Sequence, residues 1–253
     1  MTPTITLYTN PYCPWAQRAH IALKELKLGY EEVFIDVEKP REEWYLAINP
    51  KGQVPTLSYN GTTIAESGII AQFLADVHSY RSPNPDGGCL LLPSTSHIGA
   101  LQRARITAFV DAWVSKVYPV LTGVILNGED HDSSTEALVG VLEREIEPLL
   151  LVSFSTKDGD GDGDVKRGEF FGGSERLTLA EVLVGPFLLW LFTLCKEEYG
   201  VLRSDLVETL QGKTPRFAKW GLSAVTHESV ACVFDEIGRR LKGRWEEAVA
   251  KKN

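Results

Sequence analysis

The chain is short of sulfur and of positive charge. Its 253 residues hold four cysteines and one methionine, and acidic residues outnumber basic ones to give a formal net charge of -8. No basic cluster is large enough to offset that charge, which argues against a nucleic-acid surface. Cys13, Cys89, Cys195 and Cys232 lie far apart and follow neither zinc-ligand nor disulfide-framework spacing. A reducing, cytoplasmic setting and no bound metal are therefore expected. Residues 1–10 lack the basic-then-apolar plan of a secretory leader. The longest apolar stretch, Val182 to Cys195, contains Gly185 and Pro186 and falls short of the roughly 20 residues that cross a bilayer. No stable membrane insertion is expected.

Against this background the run Pro11-Tyr12-Cys13-Pro14-Trp15-Ala16 stands out, directly after the strand-like Thr4 to Tyr8. Pro14 suits a first helical position, where its missing N–H costs nothing. Cys13 then falls at the cap, its sulfur facing the free N–H groups of Trp15 and Ala16. Those dipoles favour a thiolate, so a depressed pKa and a nucleophilic role are expected of Cys13. A two-cysteine redox motif would place a second thiol at position 16, which here is Ala16. A mixed disulfide on Cys13 must then be broken by a thiol from outside, and that chemistry points to glutathione.

Residues 14–28 read as an amphipathic helix, Tyr30 to Val37 as a strand and Pro40 to Ile48 as a short helix. Val54 to Ile64 reads as a hairpin with an Asn60-Gly61 turn, and Ser67 to Val77 as a further helix. The order βαβαββα gives a small mixed sheet with a right-handed crossover. Pro83, Pro85, Gly87, Gly88 and Pro93 mark a linker. Beyond it only helices are expected: one from Ile98 past a bend at Pro119, one from Ala137 to Phe154, one opened by the capping box Thr178-Leu179-Ala180-Glu181, one over Val230 to Leu241, and a last around Trp245. The expected division is a thioredoxin-like α/β domain over 1–79, a linker over 80–94 and an all-helical domain over 95–253.

The segments Cys13 to Arg18, Asn49 to Pro55, Glu66-Ser67 and Phe170-Phe171-Gly172-Gly173 leading to Thr178-Leu179-Ala180-Glu181, in this order, resemble the glutathione transferase superfamily. Within it the likeness is to the cysteine-containing omega class. The resemblance implies a catalytic Cys13, glutathione as co-substrate and a homodimer. It implies a cis-proline at Pro55 that turns the Val54 backbone toward glutathione. Ser67, read as the cap of its helix, would hold the γ-glutamyl carboxylate, and Glu66 the ammonium. Lys39 would lie near the glycyl carboxylate, a solvated surface lysine being its other reading. Arg18, Trp44 and Asn49 read as architecture, and His20 as a packing residue rather than a base.

The implied activity is a glutathione-dependent thiol transferase or reductase, covering deglutathionylation and dehydroascorbate-type reduction. Conjugation of glutathione to electrophiles is expected to be poor. The alternative is a ligand-sequestering protein for apolar aromatic compounds, with Phe109, Trp113, Tyr118 and Trp190 as aromatics that could line a pocket. A chloride-channel-like, membrane-entering relative is disfavoured by the lack of a long apolar segment. Asp158 to Glu169 satisfies the twelve-residue calcium-loop pattern. Its context, leading into a Phe-Phe-Gly-Gly run, instead suits a Gly/Asp-rich surface insertion.

Overall fold

Strand β1 (Ile5–Thr9) sits centrally in a four-stranded sheet of order β2-β1-β3-β4, seen in a computed structural model that describes residues 2–79, 88–128, 130–151, 168–232 and 237–252. Helix α1 (Pro14–Glu25) crosses over to β2 (Glu31–Phe34), which lies parallel to β1 with Tyr8 opposite Val33. After α2 (Glu43–Ile48) come β3 (Thr56–Tyr59) and β4 (Thr62–Ala65), then α3 (Ser67–His78). β3 runs antiparallel to β1 with Leu7 opposite Leu57. The turn that joins β3 to β4 has positive φ at both Asn60 (49°) and Gly61 (82°), the combination a tight hairpin requires. This is the βαβαββα order of a thioredoxin-like domain.

Side chains alternate along β1, so the sheet has two differently clothed faces. Ile5 and Leu7 are buried with Ala19, Ala22 and Leu23 of α1 and Ile70, Ala71 and Leu74 of α3. Tyr8 points the other way, and its ring lies 5.7 Å from that of Tyr45 in α2. Each large aliphatic side chain fully withdrawn from water contributes about 1.5–3 kcal/mol, so this packing fixes where the end of β1, and with it Cys13, must lie.

Helices follow. α4 (His97–Ala112), a π-helical turn (Trp113–Val117) and α5 (Tyr118–Asn127) are continuous. The expected disturbance at Pro119 takes the form of that widened turn just ahead of the ring, which relieves the clash with the preceding turn. The same device precedes Pro148. α6 (His131–Val141) passes through a π-helical turn (Leu142–Ile146) into a 3₁₀ turn (Glu147–Leu151). That segment begins six residues before the expected Ala137, because Asp130 caps it by accepting the Ser133 N–H at 3.0 Å. α7 (Leu179–Leu194) opens with the capping box read from the sequence.

α8 (Leu206–Lys213) and α9 (Pro215–Thr226) were not expected as elements, although Pro215 at a first helical position was an available sign. Of the helix expected over Val230 to Leu241, the described residues show α10 (Glu228–Ala231) and the start of α11 (Ile237–Ala250), and residues 233–236 lie outside them. Most of the Asp158–Glu169 motif and of the Pro/Gly-rich stretch lies outside the described residues.

One expectation is corrected here. The continuous helix His97–Asn127, 31 residues long and containing an 18-residue window of mean hydropathy 1.4, is long and apolar enough to cross a membrane. An unbroken apolar run misses it, because its charges are spaced among apolar positions. In the fold Phe109, Trp113, Val117, Leu121 and Val124 are fully buried in the core.

Candidate functional site

The end of β1 delivers the chain to a turn held by Asn10. Its Oδ1 accepts the Tyr12 N–H at 3.0 Å, its Nδ2 donates to the Ile35 carbonyl at 3.0 Å, and its own carbonyl accepts the Cys13 N–H at 3.0 Å. Cys13 occupies the cap position of α1 with extended backbone, and Pro14 is the first helical residue. The sulfur makes no cap hydrogen bond of ordinary geometry. It is nevertheless close enough to the N–H groups of Ala16 and Trp15, and to the charges of Arg18 and Arg244, for these to favour the thiolate. Burial outweighs them and pushes the Cys13 thiol up. The expectation of a depressed pKa is therefore corrected for the ligand-free protein: desolvation of the sulfur costs the anion more than the helix mouth returns.

Cys13, Lys39, Val54, Pro55, Glu66 and Ser67 all line one cavity of about 740 Å³. The Val54-Pro55 peptide is cis, as the family resemblance implies. Asn49 and Tyr45 brace the loop ahead of it: Asn49 Nδ2 donates to the Gln53 carbonyl at 3.0 Å and to Thr56 Oγ1 at 2.8 Å, and the Tyr45 hydroxyl bonds to the same Gln53 carbonyl. Trp44 packs by its ring against Tyr8 and Tyr45.

Glu66, and not Ser67, takes the cap position of α3. Its φ of 72° turns the chain into the helix one residue earlier than expected, leaving Ser67 as the first helical residue. A left-handed backbone at a residue with a side chain costs about 1–3 kcal/mol and is a feature of ligand clamps. Ser67 is buried at the helix mouth, and Glu66 is exposed and paired with Lys51 at 2.8 Å. Lys39 is exposed at the rim and paired with Asp36 at 3.0 Å.

Arg41 was not read as part of the site. Its guanidinium donates to the carbonyls of Asp36 (2.8 Å), Val37 (3.0 Å), Gly52 (2.8 Å) and also Lys39, stitching the 36–39 loop to the loop that leads to Pro55. Gly52 is required there: at φ 60° a Cβ would meet Arg41 Cγ at 2.8 Å. Arg41→Ala should release Lys39 and weaken binding of an anionic ligand in this cavity several-fold, while Cys13 alkylation, measured in parallel, stays near the parent rate.

His20 is held between Thr9 Oγ1 (2.8 Å) and the Tyr30 hydroxyl (2.9 Å), and burial lowers its pKa, so it is a neutral packing residue. On the other side of Cys13 a second cavity of about 370 Å³ is walled by Trp15, Tyr118, Ile125, Trp190 and Arg244. Of the four aromatics singled out from the sequence, Tyr118 and Trp190 reach it, whereas Phe109 and Trp113 are core.

Residues 3–76 match the family model "Glutathione S-transferase, N-terminal domain". The chain is 30% identical over 209 residues to probable glutathione S-transferase BZ2 of Zea mays, covering 81% of this chain and 82% of that one. It is 25% identical over 185 residues to probable glutathione transferase omega-2 of Caenorhabditis elegans, a match spanning 72% of this chain and only 62% of the nematode protein. Among solved structures, glutathione transferase Omega 2C of Trametes versicolor superimposes with a TM-score of 0.72 at 27% identity, covering 96% of this chain and 99% of the other.

Proposed function

Because this chain belongs to the glutathione transferase family and is omega-like within it, we propose that it is a glutathione-dependent thiol transferase working through a mixed disulfide on Cys13. The observation that carries this reading is Cys13 at the head of α1, in one cavity with cis-Pro55, Glu66 and Ser67, and with Ala16 where a resolving thiol would stand. In the first step the Cys13 thiolate attacks the glutathione sulfur of a glutathionylated substrate, and the substrate thiolate departs. In the second, a glutathione thiolate attacks the glutathione sulfur of the Cys13 disulfide, forming oxidised glutathione and releasing the Cys13 thiolate. Deglutathionylation of small conjugates and dehydroascorbate-type reduction are the uses of this chemistry within the proposal. Conjugation to electrophiles needs an activated glutathione thiol, which a neighbouring cysteine would trap, so it is expected to be slow.

The cavity suits the tripeptide's charges. Ser67 and the α3 N-terminus take a carboxylate, Glu66 an ammonium, and Lys39 a second carboxylate. The proposal includes a cytoplasmic location, which four free thiols fit, and a homodimer, which light scattering tests. Intact mass after mixing with oxidised glutathione tests the chemistry itself: one glutathionyl adduct is expected, absent in Cys13→Ser. The ligand-holding alternative has its place in the second cavity, and displacement of a fluorescent apolar probe that persists in Cys13→Ser would support it.

Ser67 should bind without taking part in the chemistry, because its bond forms on binding and changes little as the disulfide breaks. Losing a hydrogen bond to a charged group costs about 1.5–3 kcal/mol, or roughly ten- to a hundredfold in affinity. The Ser67 N–H remains in Ser67→Ala, so the lower end is expected, as a raised KM for glutathione with kcat within a few-fold. An unchanged KM with a collapsed kcat would misplace the carboxylate.

A further inference from the structure

Arg18 is the only lysine or arginine that is buried among the described residues. Its Nε donates to the Leu183 carbonyl of α7 at 2.7 Å, in the turn that Pro186 deprives of an N–H. Nη1 reaches Ser67 Oγ at 3.4 Å, and Nη2 has no partner. The guanidinium lies 4.4 Å from the Trp15 ring centroid and 5.1 Å from that of Phe187. The ion pairs that arginines make among the described residues all belong to other arginines. A buried cation without an anion is unfavourable, and aromatic faces offset only part of that.

Two anions come within its influence. One is the Cys13 sulfur, on the same helix, where Arg18 and Arg244 are the cations that act. The other is whatever carboxylate seats on Ser67, which Arg18 touches directly. Burial pulls the Arg18 guanidinium down to about 9, with the Tyr118 hydroxyl and the Cys13 thiol acting against it.

We propose that Arg18 is a positioning residue whose single buried charge serves two anions in turn: the Cys13 thiolate when the thiol ionises for attack, then the glutathione carboxylate on Ser67 once Cys13 is a neutral disulfide. This rests on the thiol-transferase reading above. When the Cys13 thiolate forms its bond to the glutathione sulfur and the substrate leaves with the electron pair, the negative charge at Cys13 disappears. Arg18 is then uncompensated unless the glutathione carboxylate is in place, so covalent capture and tight seating reinforce each other. When the second glutathione expels Cys13 as a thiolate, the charge returns to Arg18 and the grip on the departing carboxylate loosens. A noncovalently bound carboxylate and the Cys13 thiolate must compete for the same cation.

The test uses the whole chain with Cys89→Ser, Cys195→Ser and Cys232→Ser, so that Cys13 is the one remaining thiol and the pH midpoint of its alkylation by iodoacetamide, followed by mass, reads its titration. Saturating S-methylglutathione, which is neutral at sulfur, should raise the Cys13 midpoint. Arg18→Gln should raise it without ligand by about one unit or more, and Arg18→Lys by less. Affinity for S-methylglutathione should fall about tenfold in Arg18→Gln. An unmoved midpoint in folded Arg18→Gln would overturn the proposal and leave Arg18 as a strut between α1, α3 and α7. If Arg18→Gln does not fold, the parent's response decides: a midpoint indifferent to S-methylglutathione overturns it equally. Formation of the Cys13 adduct, followed by mass in the same protein, reports separately on the thiol-transferase reading.

Discussion

Cys13→Ser should lose glutathione-dependent disulfide reduction by on the order of a thousandfold or more, while binding S-methylglutathione within a few-fold of the parent. The hydroxyl that replaces the thiol fills nearly the same volume at the same cap, so the cavity and its carboxylate contacts survive. What disappears is the bond-forming atom, and an interaction confined to the reaction lowers kcat with little change in affinity. Serine cannot substitute chemically, since disulfide exchange requires a sulfur nucleophile to enter and leave. Reduction of a glutathionylated small thiol, coupled to glutathione recycling, gives the rate, and titration calorimetry gives the affinity. Activity retained by Cys13→Ser and lost in Cys195→Ser or Cys232→Ser would refute the assignment. The pH dependence has a defined sign. Burial raises the Cys13 thiol, so the rate should climb as pH rises through the thiol's titration, and glutathione's own thiolate should add to the slope in the second step.

Legibility differed along the chain for physical reasons. The sheet domain could be read because its signals are local: a Cys-Pro cap, an Asn-Gly turn and period-two strands each act within a few residues. The capping box at Thr178 could be read for the same reason. The segment α8–α9 carried a local sign as well, since Leu206 and Leu210, and Phe217, Trp220 and Ala224, recur at helical spacing; what local spacing does not carry is the distant element each face packs against. Cys13, Lys39, Val54, Pro55, Glu66 and Ser67 converge on one cavity as the resemblance implies. The roles of Arg18 and Arg41 were hidden, since both act on backbone carbonyls or on a serine brought near only by the fold. The direction of the Cys13 shift was hidden too: a helix mouth is visible in sequence, whereas the desolvation that opposes it is not.

The largest stability loss is expected at Glu181, which has no exposed surface. Its Oε1 accepts the Phe171 N–H at 2.6 Å and the Trp220 indole N–H, and its Oε2 accepts the Thr178 N–H at 2.8 Å and the Thr178 hydroxyl at 2.7 Å. One carboxylate thereby closes the start of α7, ties down the Phe170–Gly173 segment and anchors α9. Glu181→Ala strands these donors away from water, and each buried unsatisfied donor costs about 1–3 kcal/mol. A total on the order of 3 kcal/mol or more should lower Tm by roughly 6–12 °C. Glu181→Gln should fall between, because its amide N–H₂ must face one pair of donors. The sign with pH discriminates further. Burial raises the Glu181 pKa in the folded protein despite the donors around it. Its contribution is then fully present below the ordinary carboxylate range and declines as pH rises through the raised folded value. The gap in Tm between parent and Glu181→Ala should therefore be wider at mildly acidic than at alkaline pH, measured by calorimetry on both proteins in matched buffers. A gap that widens with rising pH would mean that the donors outweigh burial and hold Glu181 as a stable anion.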